Sequence, residues 1–122
     1  MIDFAKSGKS FGFALRGVRA LIRAENNARI HLVLTIFAVI LGFGLSISPV
    51  EWAILVLAIA LVWAAEAVNT AVERLVDLVS PNYEARAGEV KDLAAAAVLV
   101  AAAAAFVVGL VLFLPKLLAR FV

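Results

Sequence analysis

The chain lacks cysteine and has little charge, histidine or proline. Its 122 residues include no cysteine, three prolines and one histidine, and only 16% of them are charged. The absence of cysteine excludes disulfides, cysteine-ligated zinc and thiol catalysis. In contrast, 66% of the residues are hydrophobic, whereas a soluble domain is usually about 45–50% apolar. This composition excludes an ordinary soluble domain and indicates an integral membrane protein.

Positive charge is concentrated near the N-terminus. The net charge is +2 at pH 7, and the N-terminal bases are Lys6, Lys9, Arg16, Arg19, Arg23 and Arg29. The chain has no basic patch interleaved with aromatic residues, so we expect phospholipid headgroups as partners and no nucleic acid. Nor do we expect a cleavable signal peptide, because the first residues are charged throughout.

Residues 1–28 mix apolar and basic side chains without a long apolar run. This pattern predicts an amphipathic helix that lies in the membrane interface. Three glycines in the segment lower its helix propensity, so we expect breaks before Phe11. The segment either anchors the chain only or also contributes to chemistry.

Three apolar stretches are long enough to cross a bilayer, residues 30–47, 52–71 and 93–114. The sequence therefore predicts an all-α integral membrane protein, with residues 1–122 forming a single domain. Pro49 predicts a tight turn between the first two spans. We expect a polar connection from Tyr83 to Lys91 before the third span, and an end to that span at Pro115.

The distribution of bases predicts the orientation. The N-terminal segment and the second connection carry bases, whereas the turn at residues 46–51 has none. The N-terminus and the second connection are therefore expected in the cytoplasm of a bacterial inner (plasma) membrane. Lys116 and Arg120 are then expected outside the cytoplasm, which conflicts with the rule that positive charge is enriched on the cytoplasmic side. Several acids gather with Lys91 at the cytoplasmic face: Glu25, Glu66, Glu73, Asp77 and Asp92.

Four polar residues form one stripe at the end of the second span: Glu66, Asn69, Glu73 and Asp77. At about 100° per residue they fall within an arc of roughly 80° on one helix face. A carboxylate facing lipid costs about 2.5–3.5 kcal/mol, so the stripe must face protein or water. Such a stripe could bind a divalent cation and leave one carboxylate free to act as a general base. The alternative is a buried polar seam that only fixes helix pairing.

Acids at the membrane face, beside a lysine and lipid, indicate phosphoryl transfer to a lipid alcohol. Glu25 and Glu73 are candidate Mg²⁺ ligands, Lys91 is a candidate phosphate contact, and Glu66 is the candidate base for the hydroxyl. Glu25 and Arg29 have the spacing of a helical ion pair. His31 lies at the membrane edge, where an interfacial hydrogen-bonding role is favoured over catalysis or metal binding.

Three sequence motifs carry a resemblance to a known family: residues 66–73 with Asp77, residues 91–99 beginning Lys-Asp, and residues 17–20 with Glu25. On these motifs, over nearly the whole length, the chain resembles the prokaryotic integral-membrane diacylglycerol kinases, a family that also contains undecaprenol kinases. The resemblance implies Glu66 as catalytic base and Glu25 and Glu73 as Mg²⁺ ligands. It implies ATP or phosphate contacts at Lys6, Asn69, Asp77, Lys91 and Asp92. It also implies a homotrimer with active sites shared between subunits.

The acceptor lipid has two candidates. Diacylglycerol, converted to phosphatidic acid, is the expected acceptor, whereas residues 26–31 look more like the undecaprenol kinase branch. Outside this class, a small transporter or channel subunit and a purely structural membrane subunit are the alternatives. The transporter alternative predicts charged residues in the middle of the spans, yet Glu66 is the only charged residue expected deep within a span.

Overall fold

The computed structural model describes residues 1–122, which form four α-helices and no strand. The helices are α1 (Phe4–Ala24), α2 (Asn26–Gly44), α3 (Pro49–Val79) and α4 (Ala85–Leu118). Helices α2, α3 and α4 are each long and apolar enough to cross a membrane. The predicted all-α class with three candidate spans is therefore confirmed. The interfacial location of α1 and the trimer stay predictions.

Helix α1 is continuous from Phe4 to Ala24, so the predicted breaks before Phe11 are wrong. Asp3 caps its N-terminus, where the side chain accepts a hydrogen bond from the backbone N–H of Lys6 at 3.1 Å. Each glycine costs about 1 kcal/mol relative to alanine, which weakens a helix without ending it. Near the other end of α1, Leu21 is buried and fixes the helix against the rest of the chain.

A single extended residue, Glu25, separates α1 from α2, with φ −106° and ψ 126°. The predicted Glu25–Arg29 ion pair is wrong. Instead, the Arg29 guanidinium donates to the backbone carbonyl of Ile22 at 3.1 Å and to that of Arg23. Arg29 thereby satisfies carbonyls that the end of α1 leaves without helical partners, and the Glu25 carboxylate has no basic partner.

The α2–α3 connection is a tight turn, as predicted. Ser46 has a positive φ of 51°, and Ser48 begins α3 with a capping box. In that box the Glu51 backbone N–H donates to the Ser48 hydroxyl at 3.2 Å, and the Ser48 N–H donates to the Glu51 carboxylate at 2.7 Å. Pro49 occupies the first turn of the helix, where its missing N–H costs nothing.

The end of the bundle beside this turn is tied together. Its apolar core consists of Leu45, Ile47, Leu55, Leu112 and Phe113. Lys116 on α4 pairs with Glu51 on α3 at 3.3 Å. Arg120 donates to the backbone carbonyl of Gly44 at 2.8 Å. The two bases that oppose the predicted orientation therefore both have partners within the chain.

Helix α4 is longer than the sequence indicates. Only residues 80–84 are non-helical between α3 and α4, so most of the predicted Tyr83–Lys91 connection forms the first turns of α4. At the other end α4 passes through Pro115 and ends at Leu118, so the proline does not close the helix. A proline this close to a C-terminus removes one hydrogen bond and leaves only a single further turn.

The long helices carry the polar stripe out of the apolar region. Helix α3 has 31 residues, which corresponds to about 46 Å at 1.5 Å per residue, against a hydrocarbon core of about 30 Å. It packs along α4 over most of its length. Only nine hydrophobic residues in the chain are buried, and most large apolar side chains point outward. The exterior of the bundle is therefore suited to lipid or to further copies of the chain.

Candidate functional site

The polar face of α3 forms a gradient of burial along the helix. Glu66 is 1% exposed, Asn69 is 7% exposed, and Thr70 is 6% exposed. One and two turns further on, Glu73 is half-buried and Asp77 is exposed. This order follows from α3 passing out of the three-helix region, and it places a buried carboxylate at the deep end of a site whose outer end is open.

Glu66 lies against α2. Its Oε2 atom is 3.8 Å from Nε2 of His31 and has no hydrogen-bond partner in the chain. His31, Glu25 and Glu73 are the titratable side chains close enough to the Glu66 carboxylate to interact with it electrostatically. The structure therefore brings the predicted base and the two predicted metal ligands into one electrostatic neighbourhood, built from the α1–α2 junction and the α3 face.

The next turn of α3 provides further polar atoms. The Asn69 amide donates to Oε1 of Glu73 at 3.3 Å, which orients the Glu73 carboxylate. The Asn69 carbonyl oxygen and the Thr70 hydroxyl are buried without a partner. Buried polar groups usually have partners, so three unpaired oxygen-bearing groups within two helical turns indicate a place for a polar ligand.

Lys91 and Asp77 form an ion pair between the start of α4 and the end of α3. The Lys91 side chain is 37% exposed and that of Asp77 is 65% exposed, so both can reach a ligand in solvent. Lys6 and Asp92 are exposed, and neither forms an ion pair with the polar face of α3. Of the predicted nucleotide contacts, the structure thus joins Asn69, Asp77 and Lys91 to the stripe.

Two polar residues of this site, Thr70 and His31, are not among the site residues predicted from the sequence. Thr70 lies four residues after Glu66, and that helical spacing would have placed it on the same face. His31 offers no such local signal, because its position beside Glu66 depends on how α2 packs against α3. The interfacial hydrogen-bonding role favoured for His31 omits this contact with a buried acid.

The available donors suit a hard cation. No group of three or more His, Cys, Asp or Glu residues is arranged to hold a metal ion by itself. Mg²⁺ commonly takes one or two carboxylates and completes its shell with phosphate oxygens and water. Glu25, Glu73 and the unpaired Asn69 carbonyl oxygen offer oxygen donors of this kind, and their chemistry suits Mg²⁺ bound together with a nucleotide.

An apolar cavity of about 370 Å³ lies between α2, α3 and α4. Its wall is almost entirely hydrophobic, and its polar lining residues are His31 and Thr35. His31 also lies beside Glu66, so the polar end of the cavity adjoins the buried carboxylate.

Comparison with known proteins identifies the family. The sequence model of the prokaryotic diacylglycerol kinases matches residues 12–113. The chain belongs to this family. The matched region includes Glu25, the whole polar face of α3 and Lys91, whereas Lys6 lies before it. Family membership confirms the predicted enzyme class, a lipid kinase, in place of a transporter or structural subunit.

Three relatives illustrate the range of the family. The chain is 39% identical over 109 residues to the undecaprenol kinase of Bacillus subtilis, covering 89% of each protein. It is 40% identical over 114 residues to a diacylglycerol kinase of Synechocystis, covering 93% of this chain and 65% of that relative. It is 31% identical over 98 residues to the diacylglycerol kinase of Escherichia coli, covering 80% of each.

Proposed function

We propose that the chain transfers the γ-phosphoryl group of ATP to the free hydroxyl of diacylglycerol, giving phosphatidic acid and ADP. The observation that carries this proposal is Glu66, a carboxylate that is 1% exposed and has an unpaired oxygen. It lies on the open polar face of α3, and His31 beside it lines the apolar cavity. The polar face suits a nucleotide, and the cavity suits a hydrocarbon chain.

Each side chain then has a defined task. Glu66 accepts the proton of the lipid hydroxyl as its oxygen attacks phosphorus. Asn69 orients Glu73, and Lys91, held by Asp77, contacts the phosphates. When bound, Mg²⁺ would be held by Glu25 and Glu73 and would offset the charge on the phosphate oxygens.

The distribution of charge supports a bacterial inner membrane with the site at its cytoplasmic face. The bases of α1 and of the α3–α4 region lie at the same end of the bundle as Glu66, Glu73 and Asp77. At the opposite end Lys116 and Arg120 are engaged with Glu51 and a backbone carbonyl. The free positive charge therefore lies mainly on the side that holds the site.

The exterior of the chain supports a homotrimer with shared sites. Most large apolar side chains face outward, and the predicted nucleotide contacts Lys6 and Asp92 are exposed and form no ion pair with the polar face of their own chain. A neighbouring subunit would bring such groups to the site from outside. This arrangement accounts for a site that three spans leave open on one side.

The test is phosphate transfer from γ-labelled ATP by the purified protein in detergent, with diacylglycerol and undecaprenol offered separately. We expect transfer to diacylglycerol with Mg²⁺ and none with a chelator. Glu66→Gln should lower kcat by about 10²–10⁴, the usual range for a lost general base. Glu89→Gln, at an exposed acid of α4, is the matched control and should retain wild-type turnover. Absence of transfer to either lipid would refute the proposal.

Undecaprenol is the second candidate acceptor. It is favoured by the relative named an undecaprenol kinase, to which the chain is 39% identical over 89% of both proteins. Residues 26–31, at the start of α2, also resemble that branch. Transfer to undecaprenol without transfer to diacylglycerol, again abolished by Glu66→Gln, would assign the chain to this activity and leave the roles of the side chains unchanged.

A further inference from the structure

His31 is the only basic side chain that lies against Glu66. Its Nε2 atom is 3.8 Å from Oε2 of Glu66, the oxygen that has no other partner. The nearby Arg29 guanidinium is occupied by backbone carbonyls at the end of α1, and Lys91 is paired with Asp77. The other charged groups that act on Glu66 are the acids Glu25 and Glu73, so no other basic group of the chain is in place to take a proton from Glu66.

Both members of this pair are held by one link between α2 and α3. The indole N–H of Trp63 donates to the Thr35 hydroxyl at 3.0 Å, and that hydroxyl donates to the backbone carbonyl of His31 at 2.7 Å. Trp63 lies almost one helical turn before Glu66, and Thr35 lies one turn after His31. This link joins the segments of α2 and α3 that carry the imidazole and the carboxylate.

Exposure differs between the two side chains. The Glu66 side chain is 2% exposed, whereas that of His31 is 14% exposed and lines the cavity between the three long helices. The Glu66 carboxylate is almost completely covered. His31, near the start of α2, is the more accessible of the two groups and lies 3.8 Å from the carboxylate.

We propose that His31 accepts the proton that Glu66 takes from the lipid hydroxyl and so restores the carboxylate for the next turnover. The inference rests on the proposed function. During transfer the O–H bond of the acceptor breaks, an O–P bond forms, the bond to ADP breaks, and the proton goes to Oε2 of Glu66. The proton then moves to Nε2 of His31 and from there to water. His31 is thus a positioning residue that acts through Glu66.

The test separates the first turnover from later ones. In His31→Gln, which keeps a donor but cannot accept a proton, the first transfer still has an ionised Glu66, whereas later transfers wait for its slow deprotonation. We therefore expect a burst of one product per active site at the wild-type rate. A steady-state kcat reduced at least tenfold should follow, with KM for ATP and lipid lowered in proportion, because a slow step after transfer leaves kcat/KM unchanged. His31→Ala should recover turnover when imidazole is added, whereas wild type should not respond.

Thr35→Val is the matched control, because it removes the α2–α3 link but keeps the imidazole. It measures the purely structural effect and should show neither a burst nor stimulation by imidazole. Helix content and thermal unfolding in the same detergent establish that each variant is folded. The proposal would be overturned by wild-type steady-state turnover in His31→Gln. It would equally be overturned by a first turnover slowed as much as later ones, together with no response of His31→Ala to imidazole.

The wild-type and Glu66→Gln enzymes separate this inference from the proposed function. An active wild type, an inactive Glu66→Gln and a fully active His31→Gln would refute the role of His31 alone. A wild type that phosphorylates neither lipid would refute both.

Discussion

Among the glycines, Gly42 is the position where an added methyl group should have the largest effect on stability. A Cβ atom at this residue would lie 2.7 Å and 2.9 Å from two ring carbons of Trp52 and 3.2 Å from Cδ1 of Ile47. Carbon atoms prefer separations of about 3.5–4.0 Å. The indole ring would therefore have to move by about 1 Å, yet it already packs at a tilt against the Phe43 ring, with a centroid distance of 4.8 Å.

The expected cost of Gly42→Ala follows from this geometry. Overpacking of a well-packed contact costs about 1–3 kcal/mol, whereas replacing a helical glycine by alanine gains up to about 1 kcal/mol. Gly44→Ala, in the same helix, is the matched control because no atom lies within 4 Å of its Cβ position. The two variants should differ by about 1–3 kcal/mol, which is roughly 5- to 150-fold in the unfolding equilibrium constant.

Thermal unfolding in detergent, followed by circular dichroism, measures this difference. Gly42→Ala should unfold below wild type or close to it, and clearly below Gly44→Ala. In a Trp52→Leu background the cost of Gly42→Ala should largely disappear, because the ring that it meets is gone. Equal midpoints for the two alanine variants, or the same cost with and without Trp52, would show that this contact is not the constraint we describe.

Two further substitutions test the site and the turn. Lys91→Met should raise KM for ATP several-fold with little change in the unfolding midpoint, because an ion pair as exposed as that with Asp77 contributes at most about 1 kcal/mol. Lys9→Met, an exposed base of α1 outside the site, should leave KM for ATP unchanged. Ser48→Ala removes the side-chain half of the capping box at the start of α3 and should cost about 1 kcal/mol in thermal unfolding. An unchanged KM in the first case, or an unchanged midpoint in the second, would contradict these assignments.

The parts of the site that lie on one helix were predictable. The spacing of Glu66, Asn69, Glu73 and Asp77 fixes their common face through helix geometry alone, and the structure has them on that face with burial decreasing along α3. The three apolar stretches likewise predict three long helices, because their length and composition leave few alternatives in a membrane.

Contacts between helices were not predictable in the same way. The spacing of Glu25 and Arg29 predicts an ion pair. The break at Glu25, however, places unsatisfied backbone carbonyls within reach of the Arg29 guanidinium, which donates its hydrogen bonds to them and not to Glu25. The position of His31 beside Glu66 depends on the packing of α2 against α3, for which its own sequence neighbourhood gives no signal.

Pro115 was expected to end α4, but near a helix terminus the loss of one hydrogen bond is tolerated.

The one-residue junction at Glu25 couples the tilt of α1 to the position of the Glu25 carboxylate in the site. With only Glu25 outside helical geometry, any rotation of α1 about α2 must be taken up mainly by the two backbone torsions of the residue that carries a proposed metal-binding carboxylate. Arg29 spans the same junction through its bonds to α1 carbonyls and therefore resists that rotation. A change in bilayer thickness or surface charge that tilts α1 would be transmitted directly to the Glu25 carboxylate, with no flexible linker to absorb it.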